Sequence, residues 1–120
     1  MRPVTQAASI FKILRPAEWR AFEAARQFEG SADDLRDGFI HFSTASQVSG
    51  TLSRHFGNET EIVILRVAAA PLGDGLRWEP SRQGALFPHL YRPLRLEEVL
   101  ESWTVQRGPG GFDIAMLTGT

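Results

Sequence analysis

The stretch from Glu61 to Val67 constrains this chain most. Ile62, Val63, Ile64 and Leu65 follow one another without a break, and Val67 resumes the run after Arg66. A strand with one wetted face alternates apolar and polar side chains, whereas a run apolar in both phases marks a strand covered on both faces. At 120 residues the chain fits one domain, since domains run from about 50 to 250 residues. A chain of this size buries about two-thirds of the surface it exposes when unfolded, enough for a single core.

The other elements are expected around that strand. Residues 9–14 read as a short strand with Phe11 and Ile13 on one face and Lys12 on the other. Pro16 suits the first turn of a helix, Trp19, Phe22 and Ala25 recur at spacing three, Phe28 follows, and Gly30 is the expected stop. Ser31 to Asp37 is polar and acidic and reads as a surface loop ending in the Asp37-Gly38 turn. Phe39 to Ser43 alternates as a strand. Thr44-Ala45-Ser46-Gln47 fits a capping box for a second helix, in which Val48, Leu52, His55 and Phe56 form the apolar stripe and Gly57-Asn58 the end. Further strands are expected at 76–79, 86–91 and 100–105, with a polar loop at 81–84 and one helical turn at 96–99. The tail from Gly108 onward is expected to be loose, giving a core of about residues 9–105 and a tail over 106–120. Helices early and strands late indicate an α+β domain.

Composition removes several functions. With 13 Lys+Arg against 14 Asp+Glu the net charge is −1, which argues against binding nucleic acid through bulk charge. The chain has no cysteine, so disulfides, zinc thiolates and a cysteine nucleophile are impossible. The start lacks a secretory apolar core, and no run approaches the roughly 20 apolar residues of a membrane span. The cytoplasm is the expected address. No phosphate-binding glycine loop and no Gly-x-Ser-x-Gly elbow is present.

The candidate site residues follow from strand phase. If Ile40 and Phe42 face the core, then His41 and Ser43 look together into a cleft or into solvent. Thr44 is explained by capping alone. Arg77 and Glu79 share a face opposite Trp78, either as solvated charges or as a carboxylate suited to accepting a proton or steadying a cation. Phe87-Pro88-His89-Leu90-Tyr91 sets a histidine and a tyrosine two residues apart in an extended segment. His55 reads as a packed or rim residue of the helical stripe. His41, Glu79 and His89 match no local metal-ligand spacing, so no metal is expected.

Three ordered motifs, Asp37-Gly38-Phe39-Ile40-His41-Phe42-Ser43-Thr44, Leu76-Arg77-Trp78-Glu79, and Phe87-Pro88-His89-Leu90-Tyr91 with Pro93-Leu94, resemble the DUF952 family of small bacterial proteins. The resemblance spans roughly residues 9–105 and implies the ADP-ribosylation fold: a split, curved β-core with short helices and a cleft between two sheets. It implies that His41, Ser43, Thr44, Glu79, His89 and Tyr91 line that cleft. Enzymes of that superfamily displace nicotinamide from NAD through an oxocarbenium-like ribosyl cation. They do so with a basic or histidine residue on the first strand, a hydroxyl or aromatic group at the nicotinamide, and a late glutamate on the ribose.

Here the first-strand place holds Lys12. Glu79 is the glutamate inside a matching motif, while Glu97 and Glu98 fall at a late turn. Two functions are therefore carried forward. One is an NAD-processing or ADP-ribosyl-transferring enzyme, with Glu79, His41 and His89 catalytic and with Lys12, Ser43, Thr44, Arg77, Phe87 and Tyr91 binding the ligand. The other is a non-catalytic module for a nucleotide or phosphorylated metabolite. A protein-interaction domain stands third and would show a large exposed apolar patch.

Overall fold

The apolar run becomes β4 (Glu61–Ala68), and a computed structural model describing residues 8–81 and 84–117 shows how its two faces are covered. β4 lies between β1 (Ser9–Leu14) and β8 (Val99–Gly108), antiparallel to both, with β9 (Gly111–Phe112) beyond β8. Val63, Leu65 and Val67 face one apolar cluster with Leu14, Phe22, Ile40, Phe42, Leu90 and Leu94. Ile62 and Ile64 face a second with Phe11, Val48, Leu52, Phe56 and Leu117. The unbroken apolar pattern therefore reflects two cores on either side of one sheet.

The first cluster is closed by a three-stranded antiparallel sheet, in the order β3 (Ile40–His41), β6 (Leu86–Leu90), β5 (Leu76–Pro80). The two sheets meet at a single residue pair, Phe11 with Ser43, through hydrogen bonds of 2.8 and 2.9 Å. The result is an α+β curled antiparallel half-barrel. A two-stranded ribbon of β2 (Gln27–Phe28) and β7 (Leu94–Arg95) completes it.

Helix α1 (Pro16–Ala25) starts at Pro16 as expected but ends before Gly30, because Arg26 turns left-handed at φ 65° and sends its N–H to the Phe22 carbonyl. Phe28 thus belongs to β2, not to the helix. Thr44 begins a short 3₁₀ turn that leads into α3 (Val48–His55). Its backbone N–H donates to Gln47 Oε1 at 3.0 Å, which is the half of the expected box that Gln47 supplies.

Two further expectations fail. Residues 31–37 are not a loop: Ala32–Asp37 form a third helix, α2, capped by Ser31 and ended by Gly38 at φ 89°. Nor is the chain loose after Gly108. β9 pairs with β8, a 3₁₀ turn follows at Ala115–Leu117, and Leu117 is 3 % exposed in the second core beside α3. Apolar anchors at Phe112 and Leu117 outweigh the glycines between them. Residues 82–83 of the expected loop and 118–120 of the tail lie outside the described residues.

Candidate functional site

Where the two sheets diverge, past the Phe11–Ser43 pair, a cavity of about 320 Å³ opens. This is within the range of small-ligand pockets, at its lower end. Its walls come from β1, α2, α3 and the β3–β6 pair, so residues far apart in sequence converge there.

Strand phase sets the first wall. Ile40 and Phe42 are buried in the core, which turns His41 and Ser43 toward the cavity. β3 pairs with β6 so that His41 stands directly opposite His89, with ring centroids 5.7 Å apart and nearly perpendicular. Phe39, on the same strand face as His41, stacks on His89 at 4.0 Å.

The His89 Nδ1 lies 2.8 Å from Glu79 Oε1, and the Tyr91 hydroxyl donates to that same oxygen at 2.6 Å. Tyr91, and then His89, hold the Glu79 carboxyl below its ordinary value. Burial disfavours a charged His89 more than Glu79 favours it, so the His89 pKa is lowered. A carboxylate can only accept, so His89 carries its proton on Nδ1 and leaves the Nε2 lone pair free. That nitrogen has no partner among the described residues, and His89 lines the cavity. Arg77 stands outside, its guanidinium 5.0 Å over the Tyr91 ring.

The facing wall is organised by a carboxylate that sequence reasoning passed over. Asp34, on α2, is 2 % exposed and gathers four donor groups. The Lys12 ammonium is 2.9 Å from Oδ2 and 3.2 Å from Oδ1, the Ser31 N–H donates at 2.9 Å, the His41 N–H at 3.1 Å, and His41 Nδ1 lies 2.6 Å away. Burial alone would push the Asp34 carboxyl up. The His41 bond, the Lys12 charge and the Ser31 N–H outweigh it and hold Asp34 far below the carboxylate range. Gly30 makes room, since a Cβ there would lie 2.7 Å from Asp34 Cβ. The Ser31-Ala32-Asp33-Asp34 spacing, a capping box with an acid at its fourth place, is the signal that would have found it.

Asp37, at the end of α2, closes on the other nitrogen of His41, with Nε2 to Oδ2 at 3.0 Å. A neutral imidazole has one hydrogen to donate, so His41 serves both carboxylates as donor only when doubly protonated.

Of the nine residues singled out from sequence, Lys12, His41, Ser43, Phe87 and His89 line the cavity; Thr44, Arg77, Glu79 and Tyr91 do not. Glu79 reaches the cavity only through His89, and the Lys12 ammonium is engaged by Asp34 and by the His41 carbonyl oxygen at 3.0 Å. His55 sits on the rim. No group of three or more metal-ligating side chains forms among the described residues. No helix among them is long and apolar enough to cross a membrane.

The model of the DUF952 family, described as a protein of unknown function, matches residues 13–102, three-quarters of the chain and all three motifs. The chain belongs to the DUF952 family. Its half-barrel is shared with protein CC0527 from Caulobacter crescentus. The crystal structure of that protein is 48% identical, with a TM-score of 0.83, covering 87% of this chain and 91% of that one. The solution structure of CC0527 gives a TM-score of 0.79 at 47% identity over 88% and 91% of the two chains. No curated protein matches the chain. The DUF952 match begins inside β1 and ends inside β8, so α1, α2, α3 and both histidine strands fall within it.

Proposed function

We propose that this DUF952 protein binds a nucleotide-like ligand in the cavity, with NAD as the candidate substrate, and that its half-barrel is a variant of the ADP-ribosylation fold. The observation that carries the proposal is His89, which lines the cavity, is fixed through Nδ1 by Glu79 at 2.8 Å, and has no partner at Nε2 among the described residues. A neutral imidazole so held is a general base. In the reaction the bond from ribosyl C1 to nicotinamide breaks, and nicotinamide leaves as a neutral ring with the bonding electrons. The oxygen of water or of an acceptor hydroxyl bonds to C1, and its proton passes to His89 Nε2. Glu79 and Tyr91 act through His89 as positioning residues, and Lys12 and Asp34 hold His41.

Calorimetric titration with NAD, ADP-ribose and AMP, followed by a nicotinamide-release assay, tests the proposal. Binding of at least one nucleotide is expected, with release lowered about 10²–10⁴-fold in His89→Gln. Failure of all three to bind removes it. A non-catalytic nucleotide module is favoured by one observation: every carboxylate on the cavity is already paired. Glu18 is engaged by Arg15, Asp33 by Arg36, Asp34 by Lys12, and Asp37 by Arg36 and His41, which leaves none free to steady a ribosyl cation. Binding without release of nicotinamide selects that function.

A further inference from the structure

Ser43 is among the most tightly held side chains of the cavity. Both of its main-chain groups pair with Phe11 at the junction of the sheets, and the residue is 3 % exposed. Its Oγ lies 2.9 Å from Thr51 Oγ1, and Thr51 Oγ1 lies 3.2 Å from the Gln47 carbonyl oxygen. A carbonyl only accepts, so the single hydrogen of Thr51 goes to Gln47. The 2.9 Å contact then forms only with Ser43 as donor. Ser43 therefore has no hydrogen left and presents lone pairs. His89 Nε2, on the same wall, presents a lone pair as well.

The opposite rim has the reverse character. Thr51, Arg54 and His55, at i, i+3 and i+4 of α3, all line the cavity. Lys12, Arg15 and Arg36 have carboxylate partners. Arg54 has neither an ion pair nor a hydrogen bond among the described residues. A guanidinium without a partner matches a phosphate or other oxyanion.

We propose that Ser43 is a specificity residue that accepts a hydrogen bond from a ligand hydroxyl, while Arg54 takes the ligand's anionic group. The ligand class is then a sugar phosphate unit, sugar inward and phosphate at the α3 rim. The cavity, at about 320 Å³, suits one such unit. The inference rests on the nucleotide reading only for the choice of a sugar phosphate unit, which a nucleotide and a free sugar phosphate share, and on no catalytic step.

The test is titration of the intact chain with AMP and 2′,3′-dideoxyAMP, and in parallel with ribose 5-phosphate and its 2,3-dideoxy counterpart. AMP is expected to bind about tenfold more tightly than the dideoxy form, as one hydrogen bond allows. Ser43→Ala should erase that preference. Thr51→Val removes the acceptor of the Ser43 hydrogen but leaves the Ser43 lone pairs, so the preference should survive it, whereas a general loosening of the pocket would lower it. Arg54→Ala should weaken both ligands by about the same factor, with Arg54→Lys restoring part of it.

A preference that survives Ser43→Ala, or no preference at all, overturns the inference even if nucleotides bind. If only the sugar phosphates bind, with the Ser43-dependent preference, the nucleotide reading fails and this one stands. If neither class binds at millimolar concentration, both fail. Neutron diffraction on the ligand-free protein gives a second, independent check: a Ser43 deuterium pointing at the cavity instead of at Thr51 overturns the inference.

Discussion

His41 and His89 face each other across one pair of strands, and each binds a carboxylate through Nδ1, yet their surroundings differ. Asp34 is buried, accepts from four donor groups and anchors Lys12, while Asp37 closes the second nitrogen of His41. Glu79 is about one-third exposed, takes its two hydrogen bonds on a single oxygen, and leaves the far nitrogen of His89 untouched. One imidazole is saturated and serves to build the wall; the other is held at one end and open at the other. The two imidazole–carboxylate pairs thus differ in whether the second ring nitrogen is engaged.

The contrast is most easily broken at Asp34. Asp34→Asn leaves the Lys12 ammonium buried with no acid beside it, and should cost about 3–5 kcal/mol in urea unfolding. Glu79→Gln, on a half-open carboxylate, should cost far less; similar losses for the two would erase the distinction. Next in size is function. Glu79→Gln should lower nicotinamide release about 10²-fold by freeing the wrong His89 tautomer, and nitrogen-detected NMR should find the Nδ1–H form in the parent protein. Equal turnover would take Glu79 out of the mechanism.

Acid should then sharpen the comparison. The Asp34 pKa is depressed on folding, so its stabilisation is complete above the unfolded value of about 3.9 and is lost as pH falls through the folded value. Asp34→Asn should flatten that limb of the stability curve. His89 is also depressed, so the unfolded chain takes up its proton first, and stability should fall as pH drops below about 6.5. In His89→Gln that part of the slope should vanish. The smallest effect is expected from Tyr91→Phe, which removes one exposed donor from Glu79: a few-fold in turnover and under about 0.5 kcal/mol in stability.

Periodicity made much of this legible. β4 is readable because it is apolar in both phases, β1 and α3 because their apolar residues recur on one face, and the phase of 39–43 is enough to turn His41 and Ser43 to one side. Helix α2 was not readable, since its one large apolar residue, Leu35, is 65 % exposed. It docks through Asp34, and a helix held by hydrogen bonds leaves no hydrophobic repeat. Lys12 reads as a cation, but the acid that engages it lies 22 residues away. Glu79 reads as an acid, but cross-strand register decides that it reaches His89 and Tyr91 instead of the cavity. The C-terminal strand and turn were hidden for a similar reason: Gly108-Pro109-Gly110-Gly111 reads as a break, and only the packing of Phe112 and Leu117 shows what lies beyond it.

The seam between the sheets is one residue pair long, and its shortness has a chemical effect. Phe11 turns its peptide N–H and C=O toward Ser43. An antiparallel strand alternates these groups from side to side, so Ile13, two residues on, directs its own toward the same flank, where β3 has already veered away and the hollow begins. Phe11, Lys12 and Ile13 of β1 all line the cavity there. The direction of their main-chain groups is set by topology, and point substitution leaves it in place.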